Sequence, residues 1–382
     1  MTLLELAIIL GISRIGGYLA ARFNQMNVLG QIIAGLLIGP SVFGLVHSDY
    51  VLEFMAEIGV VLLMFLAGLE TDTSELIASG FSSTVIAAGG VIVPFAAGAW
   101  VGLAAGVTLP EALFLGTMLT ATSVSITVQA LREMGKLNSK EGIAIMAAAV
   151  IDDVIGIIVL TFVTGYISGG TRILPLMEKI GVFAVAVVVI TVVLRRYGER
   201  IMELMRPGTR IITFALVLCF SMAYFAEKAD IAAITGAYIA GLILSNYSTK
   251  EKIVRGVEEI AYLFFTPIFF ISIGLKTDVR AVLGDIGFSL IIIAIAVLGK
   301  VIGCGLTARL VGFNWSEGFT VGVGMVPRGE VVLIIANLGL KKGIVSQRIF
   351  GVSVLMVLVT SLIAPPLLKL FFHRAENTEN GE

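Results

Sequence analysis

Apolar runs of membrane length follow one another along this chain, separated by polar joints of only a few residues. A helix crossing a bilayer core needs about 20 mostly apolar residues. On that measure the pattern predicts helices over residues 2–22, 27–46, 51–69, 82–105, 110–133, 140–166 and 173–195. A second set follows over 207–227, 231–247, 254–275, 285–310, 314–339 and 345–373. The expected fold is therefore an all-α polytopic membrane protein with about 13 transmembrane helices, the second and ninth short and Gly-rich. Residues 1–374 form one transmembrane domain, and a polar tail is expected over 375–382. The first run lacks the basic start and small-residue cleavage site of a signal peptide, so it is expected to be retained.

The pattern also repeats in one register. Gly35-Leu36 falls on Gly241-Leu242, Gly68-Leu69 on Gly274-Leu275, Thr71-Asp72 on Thr277-Asp278, Glu111 on Glu317 and Gly116 on Gly322, each pair 206 residues apart. Seven helices separate equivalent positions, an odd number, so the copies, about 1–166 and 207–373 around a linker helix 173–195, cross the membrane in opposite senses. Inverted repeats with interrupted helices in corresponding positions are the pattern of secondary transporters, whose substrate sits near the midplane.

Composition adds weight to the class: 382 residues with 58% hydrophobic and 14% charged lie outside the range of soluble domains. Charge adds orientation. Of the 26 Lys and Arg, 15 fall on the side of the odd-numbered joints and the C-terminus, 8 on the opposite side and 3 inside helices. The excess of basic residues marks the cytoplasmic side, so the C-terminus is expected inside and the N-terminus outside, in the cell's inner (plasma) membrane. Cys219 and Cys304 sit within apolar runs and read as small buried side chains rather than a disulfide or metal site.

The candidate chemistry is what remains polar at midplane depth. Asp152 and Asp153 stand at the centre of the sixth helix, Thr122 at the centre of the fifth and Lys300 near the centre of the eleventh. An acid buried in a membrane is costly and is by default a functional group with a partner. Neighbouring helical residues point about 100° apart, so the aspartates take different roles. One faces an ion and one pairs with Lys300; the spacing does not fix which, and the assignment adopted gives Asp153 the ion. Breaks at Thr120-Ala121-Thr122-Ser123 and Met325-Val326-Pro327-Arg328-Gly329-Glu330 make helices 5 and 12 crossed and interrupted. Free helix ends inside a membrane are tolerable only around a polar cavity, and Arg328 and Glu330 carry charges that offset such ends.

These four motifs, Thr120 to Ser123, Asp152-Asp153, Lys300 and Val326 to Glu330, together resemble the sodium/proton antiporters of the second monovalent cation:proton antiporter family, the NapA-type exchangers. The resemblance runs over essentially all the helices. It implies that Asp153 binds the transported cation and carries a proton, that Asp152 pairs with Lys300, that Thr122 and Ser123 lie beside the site, and that Glu330, with Arg328, balances the crossing helices. It also implies a core within 82–166 and 285–373 moving, elevator fashion, against a dimer domain within 1–46 and 207–247, in a homodimer. Sodium, or lithium, would exchange electrogenically for protons, with no cofactor, no resident metal and no nucleic-acid partner. Relatives that move potassium under ligand control carry a nucleotide-binding domain after the last helix, and the short tail here has no Gly-rich strand-to-helix motif; a potassium/proton antiporter is the alternative within the family.

Two other classes are disfavoured. An intramembrane aspartyl protease needs its aspartates on different helices, and here they are adjacent, so no enzyme is expected. A passive cation channel also suits a broken helix, but an inverted repeat with a buried lysine favours alternating access.

Overall fold

The structure, a computed structural model, describes residues 2–23, 25–168, 173–205, 209–276 and 286–379. Thr277 and Asp278 of the repeat, and Arg172, Arg206 and Arg280 of the charge count, lie outside the described residues. Every regular element among the described residues is helical: α1 Leu3–Arg22, α2 Asn27–Ile38, α3 Tyr50–Glu70, α4 Thr73–Ala78, α5 Gly80–Ala104, α6 Leu109–Thr120, α7 Val124–Glu133, α8 Lys140–Ser168 and α9 Ile173–Met205. There follow α10 Arg210–Lys228, α11 Ala233–Leu244, α12 Lys250–Ile260, a π turn Ala261–Phe265, α13 Thr266–Leu275, α14 Ile286–Leu310, α15 Trp315–Gly324, α16 Glu330–Lys341 and α17 Gln347–Glu379. Among the described residues, ten helical segments are long and apolar enough to cross a membrane, and three shorter apolar helices, Asn27–Ile38, Ala233–Leu244 and Val331–Leu340, accompany them.

Several boundaries differ from the sequence expectation, each for a local reason. The second helix was expected to reach 46 but stops at Ile38. Gly39, forced extended by the ring of Pro40, has ψ 176°, and Phe43 and Leu45 then fold back to donate to the carbonyls of Leu37 (3.0 Å) and Ile38 (2.9 Å). The seventh helix runs on to Met205, because no proline stands between Leu176 and Arg206 to stop it. The expected tail is helical as far as Glu379, where Ala375 and Glu376 favour continuation. α4 and the π turn were not foreseen at all.

Two bodies of helices result. In one, α2 packs on α1 and α13, and α11 packs on α3 and α10; in the other, α5 lies along α14 and against α6 and α8, while α17 packs on α14, α15 and α16. Both are built on close backbone approach. A Cβ at Gly35 would collide with the carbonyl of Ile271, and one at Gly241 with that of Phe65, contacts that stand 206 residues apart in register. The same spacing relates Glu111, whose carboxylate accepts from the Ser346 backbone N–H (2.8 Å), to Glu317, which holds Lys140 Nζ at 2.8 Å. Gly106 and Gly312, with φ 81° and 99°, likewise end α5 and α14.

Gly35 and Gly241 therefore set the distance between helices. Gly35→Val or Gly241→Val is expected to lower stability by about 1–3 kcal/mol through overpacking. Gly11→Val, where a side chain meets nothing within 4 Å, should be neutral in the same thermal-unfolding measurement in detergent.

Candidate functional site

α6 and α7 are two halves of one membrane crossing, and α15 and α16 two halves of another. Ala121 (φ −61°, ψ 138°) and Ser123 (φ −93°, ψ 99°) are extended, which ends α6 and leaves the start of α7 uncapped by any side chain. Pro327 similarly interrupts the second crossing, where Met325 closes α15 and Gly329 leaves the helical region. The two extended segments lie against each other: the Ser123 N–H donates to the Pro327 carbonyl at 2.7 Å. Any side chain at 329 would press on Ser123 Oγ, so glycine permits the approach.

Arg328, fully buried, fills this crossing. Its Nη1 donates to the Ala121 carbonyl, at the end of α6, and its Nη2 to the Ala296 carbonyl of α14 at 3.1 Å. Its own backbone is held by α17, with its N–H on Thr360 Oγ1 (3.1 Å) and its carbonyl receiving Ser361 Oγ (3.0 Å). A cation against the carbonyl end of a half-helix satisfies both the orphan acceptors and the local dipole. The carbonyl end of α15 is met differently, by Thr127 Oγ1 donating to Gly324 O at 2.6 Å. Glu330 opens α16, and its side chain lies outside what is described.

The charged layer sits beside the crossing. Lys300 Nζ lies 2.8 Å from Asp152 Oδ1, with the two side chains 0% and 1% exposed. The other oxygen, Oδ2, accepts from Thr122 Oγ1 at 2.8 Å. Both oxygens of Asp152 are thus held, by an ammonium and by the hydroxyl of a broken helix. Gly90 of α5 leaves room for the ammonium, since a Cβ there would lie 3.3 Å from Lys300 Nζ. Asp153, one residue on, points elsewhere: its Oδ2 accepts from Thr235 Oγ1 of α11 at 3.3 Å. Ser123 Oγ meets Ser125 Oγ at 3.3 Å rather than either carboxylate.

The residues expected at the site are therefore divided: Thr122, Asp152 and Lys300 form a closed set, Arg328 is held at the crossing by the carbonyls of Ala121 and Ala296, and Asp153 is bonded by Thr235. Thr235, Gly90, Thr127, Thr360 and Ser361 were missed. Thr235 did carry a signal, since the residue 206 positions earlier is the apolar Leu29. So did the hydroxyl pair Thr360-Ser361 in the middle of an apolar run.

A cavity of about 1960 Å³ separates the two bodies of helices. Its floor includes Ile157, one turn beyond Asp153, with Ala233, Ile234 and Gly329; its mouth carries His47, Glu53, Lys179, Glu227, Asp230 and Lys342. At the opposite end of the helices a polar cluster joins the bodies. Arg132 of α7 bonds Glu70 of α3 (2.8 Å), Glu258 of α12 and the hydroxyl of Tyr262 in the π turn. Tyr262 donates onward to Gln129 (3.1 Å), its carbonyl accepts from Arg14 (3.1 Å), and Glu133 accepts from the Asn27 N–H at 2.7 Å. The molecule is open at one face and bolted at the other.

A family model described as "Sodium/hydrogen exchanger, transmembrane" matches residues 8–374. The Na(+)/H(+)-K(+) antiporter GerN of Bacillus cereus is 40% identical over 374 residues, covering 96% of this chain and 95% of the relative. The Na(+)/H(+) antiporter of Enterococcus hirae is 35% identical over 371 residues, covering 96% and 97%. Among solved structures, the sodium proton antiporter MjNhaP1 from Methanocaldococcus jannaschii at pH 8 superposes with a TM-score of 0.67 over 95% of this chain and 94% of that one. At 14% identity it shows a shared fold.

The closed set makes a stability prediction. Lys300→Gln leaves Asp152 buried without its counter-charge and should cost about 3–5 kcal/mol. Adding Asp152→Asn should restore part of that loss; a single variant whose thermal midpoint equals the wild type would show the pair to be unimportant to folding.

Proposed function

The chain belongs to the sodium/hydrogen exchanger family, and on that premise we propose that Asp153 is the carboxylate for which a monovalent cation and a proton compete. The protein is a secondary cation/proton antiporter. The observation that carries the assignment is the division of the two carboxylates: Asp152 is engaged on both oxygens by Lys300 and Thr122, whereas Asp153 accepts from Thr235, on the helix whose Ala233 and Ile234 line the cavity floor. A buried carboxylate is costly when bare, and either a cation or a proton neutralises it. One site with two mutually exclusive occupants couples the two flows without any covalent chemistry, and the reading is of a transporter, not an enzyme.

The packing supports alternating access by one body sliding on the other. α5 to α8 and α14 to α17 carry Asp152, Asp153, Lys300 and both interrupted crossings; α1 to α3 and α10 to α13 form the facing panel. The recurring 206-residue contacts support two inverted copies as the origin of this arrangement. With the basic-residue count taken as orientation, the cavity opens outside and the Arg132 cluster seals the cytoplasmic face of a plasma-membrane protein. The exposed apolar flanks of α1 and α9, including Ile15, Val185, Val188 and Val192, suit contact with lipid and with a second copy in a homodimer. Sodium is the main cargo in this reading, and lithium, a smaller hard cation, suits the same oxygen donors. The exchange is electrogenic in this reading, with the Lys300–Asp152 pair separating as Asp153 fills.

Asp153→Asn, in purified protein reconstituted into vesicles, should abolish both sodium-driven proton flux and transport current while the protein remains folded. Exchange at the wild-type rate would end the assignment. Arg132→Ala should loosen the seal: a cysteine placed at Ile126 should become reactive to a membrane-impermeant thiol reagent from the cytoplasmic face, and unchanged reactivity would show that the cluster does not hold that face shut.

A further inference from the structure

Asp153 receives a hydroxyl from a helix of the other body, and its position is unusual. Thr235 is 3% exposed, sits in the first turn of α11 and donates across to α8 at 3.3 Å. Its equivalents in the recurring register are apolar: Leu29 takes the place of Thr235, and Leu358-Val359 that of Asp152-Asp153. The pairing of hydroxyl with carboxylate thus occurs in one half of the molecule. The residues before Thr235, Ala233 and Ile234, line the cavity floor, and no side chain caps their end of α11. A hydroxyl has one donor and two acceptor lone pairs. With its hydrogen on Asp153, the Thr235 oxygen keeps its lone pairs for a cation that reaches the carboxylate.

We propose that Thr235 is a one-sided specificity determinant: it orients Asp153 and adds an oxygen ligand to the cation while the site faces the cavity, and is left behind when α8 slides along the α11 panel. The proposal rests on the reading of Asp153 as the cation site. On a panel that does not travel with the carboxylate, a ligand can strengthen binding at one face alone. Linkage then requires the loaded protein to favour the cavity-open arrangement by the same factor. The two faces consequently differ in the cation concentration that half-saturates them, while the balance of gradients at which exchange stops is unaltered.

The test compares right-side-out with everted membrane vesicles, measuring the sodium concentration for half-maximal exchange at each face. Thr235→Val should raise it about ten-fold at the cavity face and less than about two-fold at the other, the size expected for loss of a hydrogen bond to a charged group. Thr235→Ser should restore the wild-type value. Val is nearly isosteric with Thr, and Thr235→Ala, which removes atoms without adding any, should show the same one-sided shift if Val does not fold. No change at either face, or equal changes at both, overturns the proposal. Asp153→Asn, run alongside, separates the two ideas: if it is inactive while Thr235→Val is indistinguishable from wild type, the site stands and Thr235 is not part of it, whereas an active Asp153→Asn removes the site itself.

Discussion

Burying charge in a medium that cannot solvate it is the constraint to which the rest of this molecule answers. Lys300, Asp152 and Arg328 are almost wholly sealed from solvent, where each alone would cost several kcal/mol even after relaxation. They are tolerated because every one is met by a group of fixed position: Asp152 by Lys300 and Thr122, and Arg328 by the carbonyls of Ala121 and Ala296. Two of those partners, Thr122 and the Ala121 carbonyl, exist only because α6 stops at Thr120. An unbroken helix would have consumed the carbonyl in its own ladder and turned Thr122 back on the preceding turn.

The two interruptions are not equivalent, and the difference shows how each is stabilised. The first presents its backbone to the second, with Ser123 N–H on the Pro327 carbonyl. The reciprocal acceptor, the Ala121 carbonyl, is taken by a guanidinium instead. Arg328 can reach it because Gly329 lets Ser123 come close and because Thr360 and Ser361 pin the Arg328 backbone to α17. A proline, an arginine and a glycine in succession thus do three separate jobs: ending a helix, neutralising its partner's end and clearing space.

Much of this was legible in the sequence. Adjacent aspartates and a lysine stand out in apolar runs, since charge is costly there and points by default to a functional site, and Pro327 with Gly329 announces a break. The assignment of Asp152 to Lys300 was not legible from spacing; it needed the distance. The Arg132 cluster was illegible for another reason, because it joins Glu70, Glu258 and Tyr262 across three elements with no local pattern among them. The π turn likewise leaves no composition signal, and its tie to Arg14 is a tertiary contact. Thr235 lay between these extremes: a hydroxyl in an apolar helix is ordinary, and only its mismatch with Leu29 in the repeat marks it.

On the proposed assignment of Asp153, coupling follows from which forms of the site are able to travel. The Asp153 carboxylate stands on the moving body of that reading, and its own charge depends on what occupies it. Covered by a cation or a proton, the carboxylate carries no net charge of its own, and either form can pass the apolar panel formed by residues such as Val60, Val61 and Phe269. Left bare, the carboxylate would have to give up the Thr235 hydroxyl and enter that apolar panel uncovered. The bare form is therefore confined to one face or the other, and a cation can leave only in exchange for a proton. Obligatory exchange needs no gate that recognises the ions; it needs a carboxylate that is expensive to move uncovered, set on a body that moves.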